Sequence, residues 1–167
     1  MINKKNISTF LILVVVALLV DQVSKLLIVS YLTPFEPPLN IVGSFLRFKL
    51  TYNPYGVFSI SFGPNILYYI FSIVGLLVLT YIALTFKDKI GVIVFGFIVG
   101  GAIGNIIDRL RLDYVIDFID MGIGNLRWFT YNFADAFITV GAVFLLVREL
   151  FFKQDKKTET SDNGKVN

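Results

Sequence analysis

Acid–base chemistry near neutral pH must fall to aspartate, glutamate, lysine or tyrosine, because the sequence contains no cysteine and no histidine. Thiolate nucleophiles, disulfides, Ser-His-Asp triads and histidine-ligated zinc are therefore excluded. We expect no metal and no cofactor. Only 16% of the chain is charged, yet four aspartates and two arginines lie between Gly104 and Asp120. This segment is the first candidate for a reactive site.

Two aspartates lie in apolar surroundings. Asp117 is flanked by Ile116 and Phe118, and Asp135 lies near the start of another apolar segment. If these segments reach the same membrane depth, the two carboxylates can share a proton and act as acid and base. The alternative is that Asp135, like Asn132, caps a helix. The residues alone leave both interpretations open.

Further polar residues accompany this pair. Asp21 and Lys25 are spaced i, i+4 within an apolar run, so they share one helical face. They are either a mutually neutralising pair or the lining of a polar cavity that receives a headgroup. Asp108 and Arg109 follow Asn105 and are expected to end a helix, as a charged stop or as part of the site.

The elements that position these residues are membrane helices. Mean hydropathy is +0.75 and 56% of residues are hydrophobic, and a span needs about 20 apolar residues. We predict a membrane α-helical fold with four transmembrane helices and a small outward-facing β-hairpin or sheet. A single membrane domain, residues 1–152, precedes a disordered cytoplasmic tail, 153–167. The predicted spans are 7–31, 66–86, 90–107 and 133–152.

The basic residues indicate orientation rather than nucleic-acid binding, because they are scattered along the chain. More of them flank the side that holds both termini than flank the loops 32–65 and 108–132. The positive-inside rule then places both termini in the cytoplasm and these loops outside. We assign Asp113 and Asp120 to the solvated side of the second loop, without a catalytic role.

Two local patterns add detail. Alternating residues over Phe45–Tyr52 and Val57–Phe62, joined by the turn Asn53–Gly56, predict a β-hairpin that leans on lipid, another strand or the helix ends. Glycines recur every four residues at 96, 100 and 104, which favours close helix packing over a nucleotide-binding loop.

Five segments resemble the lipoprotein signal peptidase family, also called signal peptidase II. In chain order they are "DQVSK" (21–25), "NPYGVFS" (53–59), "GGAIGNIIDR" (100–109), "VIDFID" (115–120) and "YNFADAFITVG" (131–141). They span about 120 residues of the membrane portion. Two departures are present. The usual glycine of the second motif is displaced by one position to Gly56, and Trp128 is followed by Phe129 where proline is usual.

The resemblance implies a membrane aspartic endopeptidase of the bacterial inner membrane. It would remove signal peptides from diacylglyceryl-modified prolipoproteins, cleaving before the lipidated cysteine near the outer face. The implied partners are these substrates and membrane lipid. Separately, we expect a monomer. The implied catalytic residues are Asp117 and Asp135. The implied substrate-binding or supporting residues are Asp21, Lys25, Asn53, Gly56, Asn105, Asp108, Arg109 and Asn132.

Other functions place such residues differently. A small proton- or ion-coupled transporter also uses intramembrane carboxylates, but it favours internal repeats and polar residues near the midplane. The aspartates here cluster at one membrane boundary instead. A non-catalytic assembly subunit leaves the two motif aspartates unexplained, and the Gly-x-Gly-Asp motif of presenilin-type proteases is absent, because Asn125 follows Gly124.

Overall fold

The computed structural model describes residues 4–55, 65–85 and 88–162. Within them, three helices are long and apolar enough to cross a membrane, namely the first three in chain order. The elements are α1 (Lys4–Tyr31), β1 (Leu39–Val42), β2 (Leu46–Asn53), α2 (Asn65–Thr85), α3 (Lys89–Leu112), β3 (Val115–Ile123), β4 (Leu126–Arg127) and α4 (Phe133–Asp162).

Helix α3 is central because its glycines let neighbouring helices approach. A Cβ on Gly100 would lie 2.6 Å from the Val14 carbonyl oxygen of α1, and one on Gly101 would lie 2.7 Å from the Ala134 carbonyl oxygen of α4. Contacts this close are possible only without a side chain. The prediction that the glycine repeat serves helix packing is confirmed.

The four strands form one antiparallel sheet in the order β1-β2-β3-β4. Thr51 of β2 pairs with Asp117 of β3, and Asn53 pairs with Val115. The strand predicted over Phe45–Tyr52 is present, and it is supported by further strands on both sides. Its predicted hairpin partner, Val57–Phe62, lies outside the described residues.

Helix α3 is longer than the predicted span. Asp108 and Arg109 lie inside it, and the helix ends at Asp113, whose left-handed φ of 65° lets its backbone N–H donate to the Arg109 carbonyl. The expectation that Asp108 and Arg109 end the helix was wrong. Charged residues are compatible with a helix interior, so α3 continues through both until Asp113 adopts the left-handed conformation.

Helix α4 also differs from expectation. It continues to Asp162, so the backbone of residues 153–162 is helical where a disordered tail was predicted. This segment contains neither proline nor glycine, so a helix that begins in the apolar part can continue through it. Residues 163–167 lie outside the described part of the chain.

Candidate active site

The two candidate aspartates meet at Asn132, the residue before α4. Its side-chain Nδ2 donates to Oδ1 of Asp117 at 2.7 Å, and its backbone N–H donates to Oδ2 of Asp135 at 3.3 Å. Asn132 is fully buried. One residue therefore holds both carboxylates, one from a strand and one from a helix.

Asn132 and Asp135 also form a capping box. The Asp135 backbone N–H donates to Oδ1 of Asn132 at 2.9 Å, while Oδ2 of Asp135 accepts from the Asn132 backbone. This reciprocal arrangement satisfies two donors at the helix start. The capping interpretation of Asp135 thus holds, and it places the carboxylate beside Asp117 rather than elsewhere.

Two further asparagines donate to the remaining carboxylate oxygens. Nδ2 of Asn53, at the end of β2, donates to Oδ2 of Asp117 at 2.9 Å. Nδ2 of Asn105, on α3, donates to Oδ1 of Asp135 at 2.8 Å. Each aspartate oxygen therefore accepts from an amide, and all of these donors are uncharged.

A buried lysine supports the pair from behind. Nζ of Lys25 contacts Oδ2 of Asp21 at 2.7 Å, Oδ2 of Asp108 at 2.8 Å and Oδ1 of Asn105 at 3.0 Å. The Lys25 and Asp21 side chains are 1% and 0% exposed. Three contacts use the three ammonium protons. Lys25 therefore links α1 to α3, and through Asn105 it fixes the amide that reaches Asp135.

Asp21 is shared between three helices. Its Oδ1 accepts the backbone N–H of Ala134 at 3.0 Å, in the first turn of α4. A Cβ on Gly104 of α3 would collide with its Oδ2. A negative side chain at a helix start is favourable because the free N–H groups and the helix dipole point at it. The predicted ion pair between Asp21 and Lys25 is present. Lys25 also pairs with Asp108, and Asp21 also accepts from the start of α4.

The electrostatics of the site set Asp117 apart. Burial, and then repulsion from Asp135, raise the pKa of Asp117 from 3.8 to about 7, although hydrogen bonds from Asn53 and Asn132 and the charge of Lys25 act in the opposite direction. Its side chain is 2% exposed. Near neutral pH, Asp117 can therefore hold a proton, as the acid of a shared-proton pair must.

Asp135 lies at the polar end of a large cavity of about 1230 Å³ between α2, α3, α4 and the β3–β4 hairpin. Asn105 and Arg109 line the same end, whereas the walls along α2 and α4 are mostly apolar, with Leu76 and Ile138 among them. A substrate with an apolar part and a cleavable polar bond would fit, with the apolar part along the walls and the bond at the polar end.

Arg109 connects the cavity to the loop after β2. It donates to the Asn105 carbonyl and to the Tyr55 carbonyl, both at 3.3 Å. Its Nε is buried and has no acceptor among the residues that the structure describes. Every predicted site residue except Gly56, which lies outside the described residues, belongs to or touches this one network.

The assignment of Asp120 to solvent was wrong. Asp120 is 3% exposed and accepts from Nη2 of Arg47 at 2.5 Å and from Nε of Arg127 at 3.0 Å. Although burial raises its pKa, hydrogen bonds from Arg127 and Arg47 and their charges lower it below the usual value. The available signal was the presence of two arginines in loop segments that are otherwise largely apolar. Asp113, in contrast, is exposed as expected.

Gln22 was also missed, although it lies in the first motif. Its Nε2 donates to Oδ1 of Asp108 at 3.0 Å and to the Gly104 carbonyl at 3.2 Å. It holds Asp108 in place between α1 and α3. No spacing rule distinguishes such a glutamine from a solvent-facing one.

Taken together, the apolar helices and the paired carboxylates, of which Asp135 lines a largely apolar cavity, define an integral membrane enzyme. Solved structures agree with this class. One bacterial membrane enzyme, determined by the in meso method at 2.3 Å, has a TM-score of 0.80 at 25% identity, covering 90% of this chain and 92% of its own. Another, determined at 1.9 Å, has a TM-score of 0.77 at 25% identity, covering 86% of this chain and 94% of its own.

Sequence comparisons specify the family. A family model described as Signal peptidase (SPase) II matches residues 13–151. The lipoprotein signal peptidase of Pelagibacter ubique is 37% identical, covering 95% of this chain and 97% of its own length. That of Thermodesulfovibrio yellowstonii is 36% identical, with 88% and 95% covered. The chain belongs to the signal peptidase II family.

Proposed function

We propose that the protein removes signal peptides from diacylglyceryl-modified bacterial prolipoproteins by hydrolysing the peptide bond before the lipidated cysteine. The observation that carries the chemistry is the meeting of Asp117 and Asp135 at Asn132, at the polar end of the cavity. Family membership supports a peptidase over the alternative of a proton- or ion-coupled transporter.

The two carboxylates divide the acid and base roles. Asp117, with its raised pKa, carries the shared proton and acts as the acid, and Asp135, which lines the cavity, acts as the base. Asp135 takes a proton from water as the water oxygen attacks the carbonyl carbon, while Asp117 gives its proton to the carbonyl oxygen. When the C–N bond breaks, Asp135 protonates the leaving nitrogen and Asp117 recovers a proton from the intermediate.

The neighbouring residues hold this pair in register. Asn53, Asn105 and Asn132 orient the carboxylates by donating to them. Lys25 fixes Asn105 from the opposite side. Arg109, at the polar end of the cavity, donates to the Asn105 and Tyr55 carbonyls and so holds the loop after β2 beside the carboxylates. Such preorganised donors lower the cost of reaching the transition state.

The apolar walls of the cavity supply the preference for a lipidated substrate. Each buried acyl CH₂ contributes about 0.8 kcal/mol of binding. Cleavage should therefore depend strongly on the diacylglyceryl group, which also places the cysteine near the membrane boundary. An unlipidated substrate loses this contribution and binds only through its peptide part.

The orientation follows from α4 acting as a fourth span. Helix α4 runs antiparallel to α3, because Ala134 lies against Gly101 at one end and Arg148 pairs with Asp88 at 2.8 Å at the other. With both termini in the cytoplasm, the carboxylate pair lies near the outer face. Reporter fusions after Gly43 or Asn125 should then read exterior and a fusion at Lys89 should read cytoplasmic. An inverted pattern would place the site on the wrong side for exported substrates.

The experiment that tests the function compares two substrates for the purified, reconstituted protein. One is a prolipoprotein carrying diacylglycerol on its cysteine, and the other is the same chain without the lipid. We expect cleavage before the cysteine in the first and little in the second. Equal cleavage of both would indicate a general signal peptidase, and cleavage of neither would refute the proposal.

A further inference from the structure

The β3–β4 hairpin ends in an exposed apolar tip that no catalytic step requires. Gly122 pairs with Arg127 and Ile123 with Leu126 around the turn. The side chains of Ile123, Leu126 and Trp128 are 77%, 83% and 65% exposed, and Phe129 is 51% exposed. A cluster of exposed apolar side chains on one hairpin marks a contact surface. We name this cluster of four residues the hairpin tip.

The hairpin tip is continuous with the membrane-facing surface of the helices. All four of its residues line the large cavity together with Phe71 of α2 and Val140 of α4. The last two side chains are 64% and 68% exposed on apolar helices. Because the hairpin tip continues the lipid-facing surface of these helices, it lies at the membrane boundary.

The charges of the hairpin are paired within the sheet. Arg127 donates to Oδ1 of Asp120 at 3.0 Å and, through Nη1, to the Ser44 carbonyl at 2.6 Å. Arg47 neutralises the other oxygen of Asp120. The one charged residue of the hairpin loop is therefore held against the sheet, and the tip itself is uncharged. Insertion of the tip exposes no unpaired charge to lipid.

The tip is also held rigidly. The Trp128 backbone N–H donates to the Met121 carbonyl at 2.7 Å, and the Gly122 N–H donates to the Phe45 carbonyl at 2.9 Å. These bonds and the Asp120 ion pairs fix the hairpin to β2. Tryptophan favours the headgroup level of a bilayer, where its ring meets apolar chains and its N–H meets water.

We infer that the hairpin tip inserts into the outer leaflet of the bilayer as a permanent lipid-facing lip beside the opening of the cavity. Its occupant is the lipid of the membrane itself, with or without substrate present. The lip would keep the polar end of the cavity sealed from the aqueous side at the point where a substrate arrives from the lipid. This inference does not depend on the proposed catalytic chemistry.

The sequence contains a single tryptophan, Trp128, so its fluorescence reports on the tip alone. The protein is reconstituted into phosphatidylcholine vesicles whose acyl chains carry bromine at a shallow or a deep position. Without substrate, we expect emission at short wavelength, weak quenching by aqueous acrylamide, and stronger quenching by shallow than by deep bromine. Trp128→Phe gives the background signal.

Two variants test the apolar contact. Leu126→Asp and Leu126→Asn should each shift the emission to longer wavelength and lose bromine quenching, because a polar tip leaves the lipid whether or not it is charged. Lys49→Glu, an exposed change on β2, is the control and should alter neither signal. Leu126 is 83% exposed, so folding does not require it, and an unchanged unfolding temperature verifies this.

Two results would overturn the inference. The first is acrylamide quenching without bromine quenching in the substrate-free protein, which would place Trp128 in water. The second is shielding of Trp128 that appears only when a lipidated substrate is added, which would assign the surface to the substrate. Because none of these measurements needs turnover, a failure of the peptidase proposal would leave them unchanged.

Discussion

Replacing Asp117 with asparagine should abolish cleavage and remove a pH-dependent loss of stability. The pKa of Asp117 is raised from 3.8 to about 7 by burial and then by repulsion from Asp135. Between these values, the folded protein holds a proton that the unfolded chain has released. The stability that this proton contributes is fully present below the lower value and is lost as pH rises through the upper one.

The size of the effect follows from the two pKa values. The pKa of Asp117 is taken as 3.8 in the unfolded chain and is about 7 in the folded protein. With these values, the wild-type protein loses about 2 kcal/mol of stability as the pH rises from about 5.5 to about 8. The Asp117→Asn variant lacks this loss. The variant also has a pH-independent cost of about 1–3 kcal/mol, because an amide offers one oxygen to the two donors Asn53 and Asn132. Comparing the two pH values removes that constant cost.

The assay is thermal unfolding in detergent at the two pH values, paired with cleavage of a lipidated substrate. The unfolding temperature of the wild type should fall from the lower to the higher pH more than that of the variant. Asp113→Asn is the matched control. Asp113 is exposed and has φ of 65°, a conformation that asparagine adopts readily, so this variant should keep both the pH slope and the activity.

Asp135→Asn provides an independent test of the coupling. It removes the repulsion that is the second cause of the raised pKa of Asp117, so part of the pH slope should disappear together with all of the activity. The double variant should be little less active than either single one, because residues that act as a unit are not additive. An unchanged pH slope in Asp117→Asn would show that another group titrates. Substantial activity in either single variant would end the aspartyl mechanism.

Three further predictions concern the supporting structure. Lys25→Met should destabilise the protein by about 3–5 kcal/mol, because it leaves the buried Asp21 and Asp108 unpaired; a wild-type unfolding temperature would contradict this. Gly104→Ala should cost about 1–3 kcal/mol, because its Cβ collides with Asp21, whereas Gly75→Ala, with open space at its Cβ, should cost nothing measurable. Chelators should leave cleavage intact, and loss of activity restored by a divalent ion would show that the aspartates are metal ligands.

Features that depend on local composition could be predicted from the sequence. Long apolar runs predicted the three membrane-capable helices, and the glycine repeat predicted the close contacts of α3. The apolar neighbours of Asp117 predicted its burial. The length of an apolar run determines whether a helix can span a membrane, the absence of a side chain allows close packing, and apolar neighbours favour burial. Each of these properties is visible in a short stretch of sequence.

Features that depend on long-range pairing could not be predicted in this way. Strand β2 pairs with β3 across more than sixty residues, as Asn53 with Val115, and no local pattern selects that partner over another. The burial of Asp120 follows from the same pairing, since it is Arg47 of β2 that covers it. The sequence analysis assigned Asp120 to solvent because nothing near it in the sequence indicated that another strand would cover it.

Asp117 and Asp120 show why amides surround the candidate catalytic pair. The two residues lie three positions apart on one strand and are 2% and 3% exposed. The partners of Asp120 are guanidinium groups that are themselves 25% and 19% exposed, and they lower its pKa in spite of burial. Among the residues that the structure describes, the donors to Asp117 are the uncharged amides of Asn53 and Asn132. An amide can orient a carboxylate without fixing its charge, so Asp117 keeps a pKa near neutrality and remains able to give and take a proton.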